Sequence, residues 1–223
     1  MFFRRYGTFA GGIDLPEEKQ ATLNQAIKPW AISGPLRLPV SFCEDSAQWC
    51  VKVGQTVALG DRISQGKDTA VYSPVAGEIT AFSQGSVISG DTCRPVPVVE
   101  IQSEGRVMEY PALGGNMEWR MIGAEKLRNQ IAAGRLTIFE RPARPLMHWI
   151  DLARRNRCLI LVANVLENQP YLTADHRLLA EHGEEVLGGL LILRQAIEAE
   201  EAILAVASYR VNDYQSIVDT ARK

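Results

Sequence analysis

At 223 residues, with 46% hydrophobic and 22% charged residues and a net charge of −2, the chain can bury one good core or two small ones. That charge balance gives no electrostatic case for nucleic acid or anionic membrane, and no run approaches the ~18 apolar residues of a spanning helix. The apolar part of the opening MFFRRYGTFAGG is too short for a secretory leader, so a cytoplasmic protein with no direct membrane insertion is expected.

Residues 1–34 show little periodic apolar pattern. Gly11-Gly12, Pro16, Pro29 and Gly34-Pro35 interrupt every candidate element, and an extended arm packed on the body of the protein is expected. Leu36, Leu38 and Val40 alternate with Arg37 and Pro39, which predicts a first strand at a sheet edge, where Pro39 is tolerated. Glu44 to Gln48 reads as a polar connection. Residues 51–82 then carry two short β-units. Val51, Val53 and Val57 alternate with Lys52 and Gln55, with Gly54 and Gly60 at turns. Val71, Val75 and Ile79 follow, with Ser73-Pro74 and Gly77 as breakers. A further strand is predicted at 97–101 and a linker over 103–119.

From residue 120 the period changes. Ala124, Leu127 and Ile131 share a helical face, and Gly134 is placed to end that helix. Residues 136–139 are a short strand candidate and 140–144 a loop. Pro145 suits the first position of a helix carrying Leu146, Trp149, Ile150 and Ala153 inward. Residues 158–163 are continuously apolar, as for a strand covered on both faces. Leu187, Leu190, Leu191, Arg194 and Ile197 mark the next helix. Residues 202–207 form a second fully apolar strand, and Asn212 with Gln215 suggests a capping box for a last helix. Strand and helix in alternation predict a parallel sheet of βαβ units. An open strand edge at 202–207 motivates a second copy or a partner strand there.

The four cysteines, Cys43, Cys50, Cys93 and Cys158, show no C-x-x-C spacing. Cys158 opens an apolar run and reads as a buried small hydrophobe. Cys43 and Cys50 are close enough to meet across a hairpin, but free thiols are the favoured reading. An iron–sulfur cluster is not expected, because no run of four thiolate ligands occurs.

Three stretches in order, FAGGIDLPEEK (9–19), VKVGQTVALGDRIS…VYSPVAGEI (51–79) and PYLTADHRLLAEHGEEVLGGLLIL (170–193), resemble RnfC, the NADH-side peripheral subunit of Rnf ion-translocating electron-transport complexes. The resemblance runs over about residues 7–207. The α/β part is also similar to cobalamin reductases of bacterial microcompartments and to the NADH-oxidising subunit of respiratory complex I. The resemblance implies a barrel-sandwich hybrid domain, then a Rossmann-like domain holding flavin mononucleotide (FMN) and NADH. A β-grasp domain and a ferredoxin-like domain with two four-iron clusters complete the family pattern. This sequence covers the first domain and about half of the second.

Three departures from the family pattern bear on function. The glycine-rich phosphate loop appears as LTIFERPARPLMHWI (136–150), with no glycine, and Pro142 and Pro145 have no N–H to donate. Arg141 and Arg144 remain as point charges that could attract phosphate; otherwise the stretch is a solvated loop. The family's acidic E-C-E-P-Y-L segment appears as Glu167-Asn168-Gln169-Pro170-Tyr171-Leu172, so the second acid is the neutral Gln169. The cluster cysteines are absent.

The resemblance implies that this segment lies next to the flavin, with Glu167, Tyr171, Asp175 and His176 as the candidate residues, and that the carboxylate expected beside flavin and nicotinamide is lost at Gln169. Read structurally, Asp175 and Thr173 instead cap the helix that follows, with Tyr171 packed at its entrance. His148 is read as surface or interfacial. His176 and His182, six apart, are a poor metal pair. Gly188-Gly189 in mid-helix reads as a close approach of helix to sheet. Lys67, at a hairpin tip, lies where biotinyl and lipoyl carrier domains present a lysine, but their flanking pattern is missing.

The fold class expected is therefore an α+β/α/β chain of two modules: an arm (1–34), an all-β barrel-sandwich hybrid (35–110) and a partial Rossmann-like parallel α/β module (111–223). The expected function is an RnfC-like accessory or docking subunit of an electron-transfer complex. It would have no redox centre of its own and sit peripheral to the inner membrane through partner subunits, with a homo-oligomer also considered. The alternative is a flavin/NADH-binding subunit of an NADH-linked electron-transport oxidoreductase, with FMN or NADH held by Arg141, Arg144, Glu167 and Tyr171. No catalytic residue and no metal ligand is assigned.

Overall fold

A computed structural model of the protein describes residues 16–30, 32–43, 46–89, 92–105, 117–139, 142–167 and 169–215, with 217 and 219. The chain divides into two compact units. One comprises residues 28–162 and 188–203; the other comprises 1–27, 163–187 and 204–223.

The larger unit begins with seven strands: β1 (Ser33–Pro39), β2 (Gln48–Trp49), β3 (Thr56–Val57), β4 (Arg62–Gln65), β5 (Ala70–Tyr72), β6 (Gly77–Ser89) and β7 (Thr92–Glu104). They form two antiparallel sheets, in the orders β1-β7-β6-β3 and β2-β4-β5. Both sheets feed one core, in which Ile63, Ile79, Val99 and Ile101 are fully buried. Each such side chain contributes roughly 1.5–3 kcal/mol by leaving water. β1 is an edge strand, as Pro39 requires.

Several expectations for this region are corrected. Val51 and Val53 extend no strand: within 51–57 the strand is Thr56–Val57, which pairs with β6, and Val53 is exposed in a turn. Gly54 (φ +81) and Gly60 (φ +84) do make the turns expected of them. Gly77 is not a breaker but the first residue of β6, and a Cβ there would lie 2.3 Å from the Gln102 carbonyl oxygen. The strand predicted at 97–101 is the middle of β7, half of a hairpin with 13 residues in each strand. The inward residues Ala81, Ser83 and Gly85 are small or polar, so β6 lacks the apolar alternation that marks a half-buried strand.

A 3-10 helix (Met117–Met121) leads into α1 (Ala124–Gly134), whose inward residue Leu127 is buried. The left-handed residue that stops α1 is Arg135 (φ +48); Gly134 is the last helical residue. β8 (Thr137–Ile138) pairs antiparallel with β9 (Arg144–Pro145), so the 136–139 segment forms a small hairpin rather than a strand of the parallel sheet. In α2 (Leu146–Arg155), Pro145 is the N-cap rather than the first helical residue. Ile150 points inward with Met147 and Ala153, while Trp149 is exposed.

β10 (Ile160–Asn164), α3 (Ala174–Ile197) and β11 (Glu201–Ala205) follow, and residues of each fall in both units. The Leu159 carbonyl accepts from the Glu201 N–H at 3.1 Å, and the Val165 N–H donates to the Ala205 carbonyl at 2.9 Å. The pairing advances along both strands together, so β10 and β11 are parallel neighbours. They are not covered on both faces: Ile160, Val162 and Ile203 are 52%, 54% and 38% exposed. Cys158, expected to be buried, is exposed as well; all four cysteines are free, and of them Cys43 is buried.

Gly188 and Gly189 make no close approach, since a Cβ on either would meet nothing within 4 Å. The tight glycine of α3 is Gly183, whose Cβ would lie 2.4 Å from Ile217 Cδ1. It sits beside the kink at His182, in the smaller unit, whose core is Leu179, Leu187, Tyr214 and Ile217. Asn212 lies inside a 3-10 helix, Ser208–Tyr214, whose N-cap is Ala207, and the described residues Gln215, Ile217 and Asp219 beyond it are helical. Most of the linker predicted at 103–119 lies outside the described residues. No helix among the described residues is long and apolar enough to cross a membrane.

Candidate functional site

The site expected around Glu167 belongs to the smaller unit. The loop after β10 turns back so that Glu167 Oε1 accepts the backbone N–H of Asp175 at 2.7 Å. That amide is in the first turn of α3, where no carbonyl within the helix is available to it and a carboxylate is favoured by the helix dipole. Lys19 approaches from the N-terminal segment. Its Nζ donates to the Glu167 carbonyl at 2.7 Å and lies 3.9 Å from Oε2. Both side chains are under a tenth exposed. The cap of α3 is thus Glu167, eight residues upstream, rather than Asp175 or Thr173. Thr173 instead hydrogen-bonds Thr22 Oγ1 at 2.9 Å, and Asp175 is exposed.

Tyr171 adopts φ +67, a left-handed conformation that costs a non-glycine residue about 1–3 kcal/mol. Its N–H donates to the Glu17 carbonyl at 2.9 Å. Its ring does not pack at the helix entrance but is 70% exposed. His176 is buried, and its Nδ1 shares a 2.5 Å hydrogen bond with the Tyr214 hydroxyl. Burial first, and then the Arg210 guanidinium, hold the His176 pKa below its ordinary value; Arg177 acts in the same direction, while Asp213 and Glu167 oppose it. Arg177 donates to the Leu23 carbonyl at 3.2 Å and pairs with Glu181 at 2.5 Å. The Ile27 N–H, first, and Arg177 hold the Glu181 carboxyl below the usual range.

Residues 17–27 are therefore tied to the 167–181 segment by a run of hydrogen bonds and a buried ion pair. Lys19, Tyr214 and Arg210 are the residues sequence reasoning missed. Their partners are distant along the chain, and only the PEEK of the arm motif drew any notice to Lys19.

The other candidates are elsewhere. Arg144 is on β9 in the larger unit and is exposed; Arg141 lies outside the described residues. The neighbouring Leu146 N–H, a first-turn amide of α2, is engaged by the Leu136 carbonyl at 2.8 Å. With no glycine, two prolines and that amide engaged, the described residues of 136–150 form no phosphate cradle. In the smaller unit, the Glu167 carboxylate is engaged by Lys19 and by the first turn of α3. Among the described residues no cluster of His, Cys, Asp and Glu could hold a metal ion.

Lys67 is exposed at the β4–β5 hairpin tip. The Arg135 guanidinium grips the carbonyls of Gly66 and Lys67, and the Tyr72 hydroxyl donates to the Gly134 carbonyl at 3.0 Å. The end of α1 thereby pins this hairpin within the larger unit.

Residues 7–106 match the family model described as RnfC Barrel sandwich hybrid domain, and residues 145–223 match the Nuo51 FMN-binding domain. The C subunit of the Na(+)-translocating ferredoxin:NAD(+) oxidoreductase complex of Acetobacterium woodii is 25% identical over 222 residues, covering 96% of this chain and 48% of the relative. The C subunit of the ion-translocating oxidoreductase complex of Serratia proteamaculans is 24% identical over 206 residues, covering 91% and 29%. Its counterpart in Pseudomonas aeruginosa is 26% identical over 202 residues, covering 89% and 26%. The chain thus spans half or less of the length of these curated relatives.

Proposed function

Because the chain is RnfC-like, with a barrel-sandwich hybrid domain followed by a segment matching an FMN-binding domain, we propose that it is a docking subunit of an ion-translocating oxidoreductase complex with no redox centre of its own. In this reading a barrel-sandwich domain over 35–110 and a Rossmann-like module over 111–223 supply surface for other subunits, with the 1–34 segment as an arm. The chain sits peripheral to the membrane through those subunits.

The observation that carries the reading is Glu167. This acid, in the segment that the resemblance sets next to the flavin, is buried against Lys19 and caps α3. Its engagement by Lys19 and by α3 supports the docking reading.

The second reading, a flavin- or NADH-binding subunit, is favoured by the match of 145–223 to an FMN-binding domain and by the exposed ring of Tyr171. The absorption spectrum of protein purified from its native cells separates the two. The docking reading expects no flavin bands and no NADH oxidation. Flavin near one equivalent with NADH turnover overturns it.

A further inference from the structure

We propose that the uncovered face of the β10–β11 sheet is the docking surface for a second copy of this chain. Parallel strands rich in Ile, Leu and Val are buried on both faces in stable α/β proteins. Here only one face is covered, and Leu161 packs from it into the core of the larger unit. The other face presents Ile160, Val162 and Ile203, and Leu159 beside it is 54% exposed.

The charges around this face argue for a second copy. The chain enters β10 through Arg155 and Arg157, both exposed, and enters β11 through Glu200 and Glu201, also exposed. None of the four makes an ion pair with another described residue, whereas the nearby Arg154 is paired with Glu198 at 3.4 Å. Because the strands are parallel and adjacent, the two basic and two acidic residues stand side by side at the same end of the sheet. A ligand of a single sign would satisfy one pair and repel the other.

A two-fold axis parallel to the strands, between two such faces, places β10 of one copy over β11 of the other with their N-terminal ends together. The arginines of each copy then meet the glutamates of the other, twice, around a central apolar layer. Facing sheets pack about 10 Å apart, a spacing that Ile160, Val162 and Ile203 can fill from both sides. The interface is self-complementary, as a two-fold contact must be.

The test is sedimentation equilibrium of the full chain over a range of concentrations, with circular dichroism to confirm folding. The wild type is expected at twice the chain mass at the upper concentrations. Val162→Asp and Ile203→Asp, both at exposed positions, are expected to raise the dissociation constant at least about tenfold. Arg157→Glu is expected to weaken the dimer, and Arg157→Glu with Glu201→Arg to restore it. A wild type that stays monomeric throughout overturns the proposal, as does a dimer that both aspartates leave unchanged. A charge swap that fails to restore association overturns the assigned two-fold arrangement.

Discussion

Glu167 and Lys19 are both nearly closed off from water, and each is the main counter-charge of the other. Removing one partner leaves the other charged and buried. Glu167→Gln is therefore expected to destabilise the protein by about 3 kcal/mol, and Glu167→Gln with Lys19→Met by clearly less. Urea unfolding of the three proteins measures this, and a double variant no more stable than the single one would refute the pairing. His176 supplies a pH dependence. Burial and Arg210 lower its folded-state pKa, so the unfolded chain binds the proton first as pH falls. Its contribution to stability is complete above the ordinary value of 6.5 and is lost as pH drops below it towards the folded pKa. Melting temperatures at pH 7.5 and 5.5 are expected to fall further for the wild type than for His176→Phe; equal falls would contradict this. Glu167 and Tyr171 were legible because the PYLTADH segment carries a family motif. Lys19 was not, since its partner lies 148 residues away and such a pair leaves no local pattern.

At the scale of elements, two glycines separate packing from propensity. A methyl at Gly77 would press into a backbone carbonyl of the paired strand, and backbone cannot swing aside as a side-chain tip does. Gly77→Ala is expected to cost about 1–3 kcal/mol. Gly189 has open space around its Cβ position, so Gly189→Ala is expected to gain roughly 1 kcal/mol from helix propensity alone. Thermal unfolding of both variants checks the opposite signs. The helices were legible because apolar residues repeat at 3.6, as Leu127 and Ile131 do in α1. The β6–β7 hairpin was not, because Gly85 and Ser83 face inward where a strand usually shows Val or Ile. For β10 and β11 the apolar run correctly marked strands, but strand sequence cannot say whether anything covers the second face.

At the scale of the molecule, the two-sheet β-unit follows the RnfC barrel-sandwich hybrid, while the α/β part keeps one βαβ unit with an open face. The small hairpin of β8 and β9 stands where the family resemblance implied a phosphate loop. The glycine-free loop and the engaged Glu167 are the two observations on which the docking proposal rests. The resemblance reached this far from three motifs; the burial of Glu167 was not legible there, because burial is a property of the folded chain. Calorimetric titration of the purified protein with FMN tests the central claim most directly. The account predicts no saturable heat up to about millimolar FMN; one equivalent bound at micromolar or tighter affinity would contradict it.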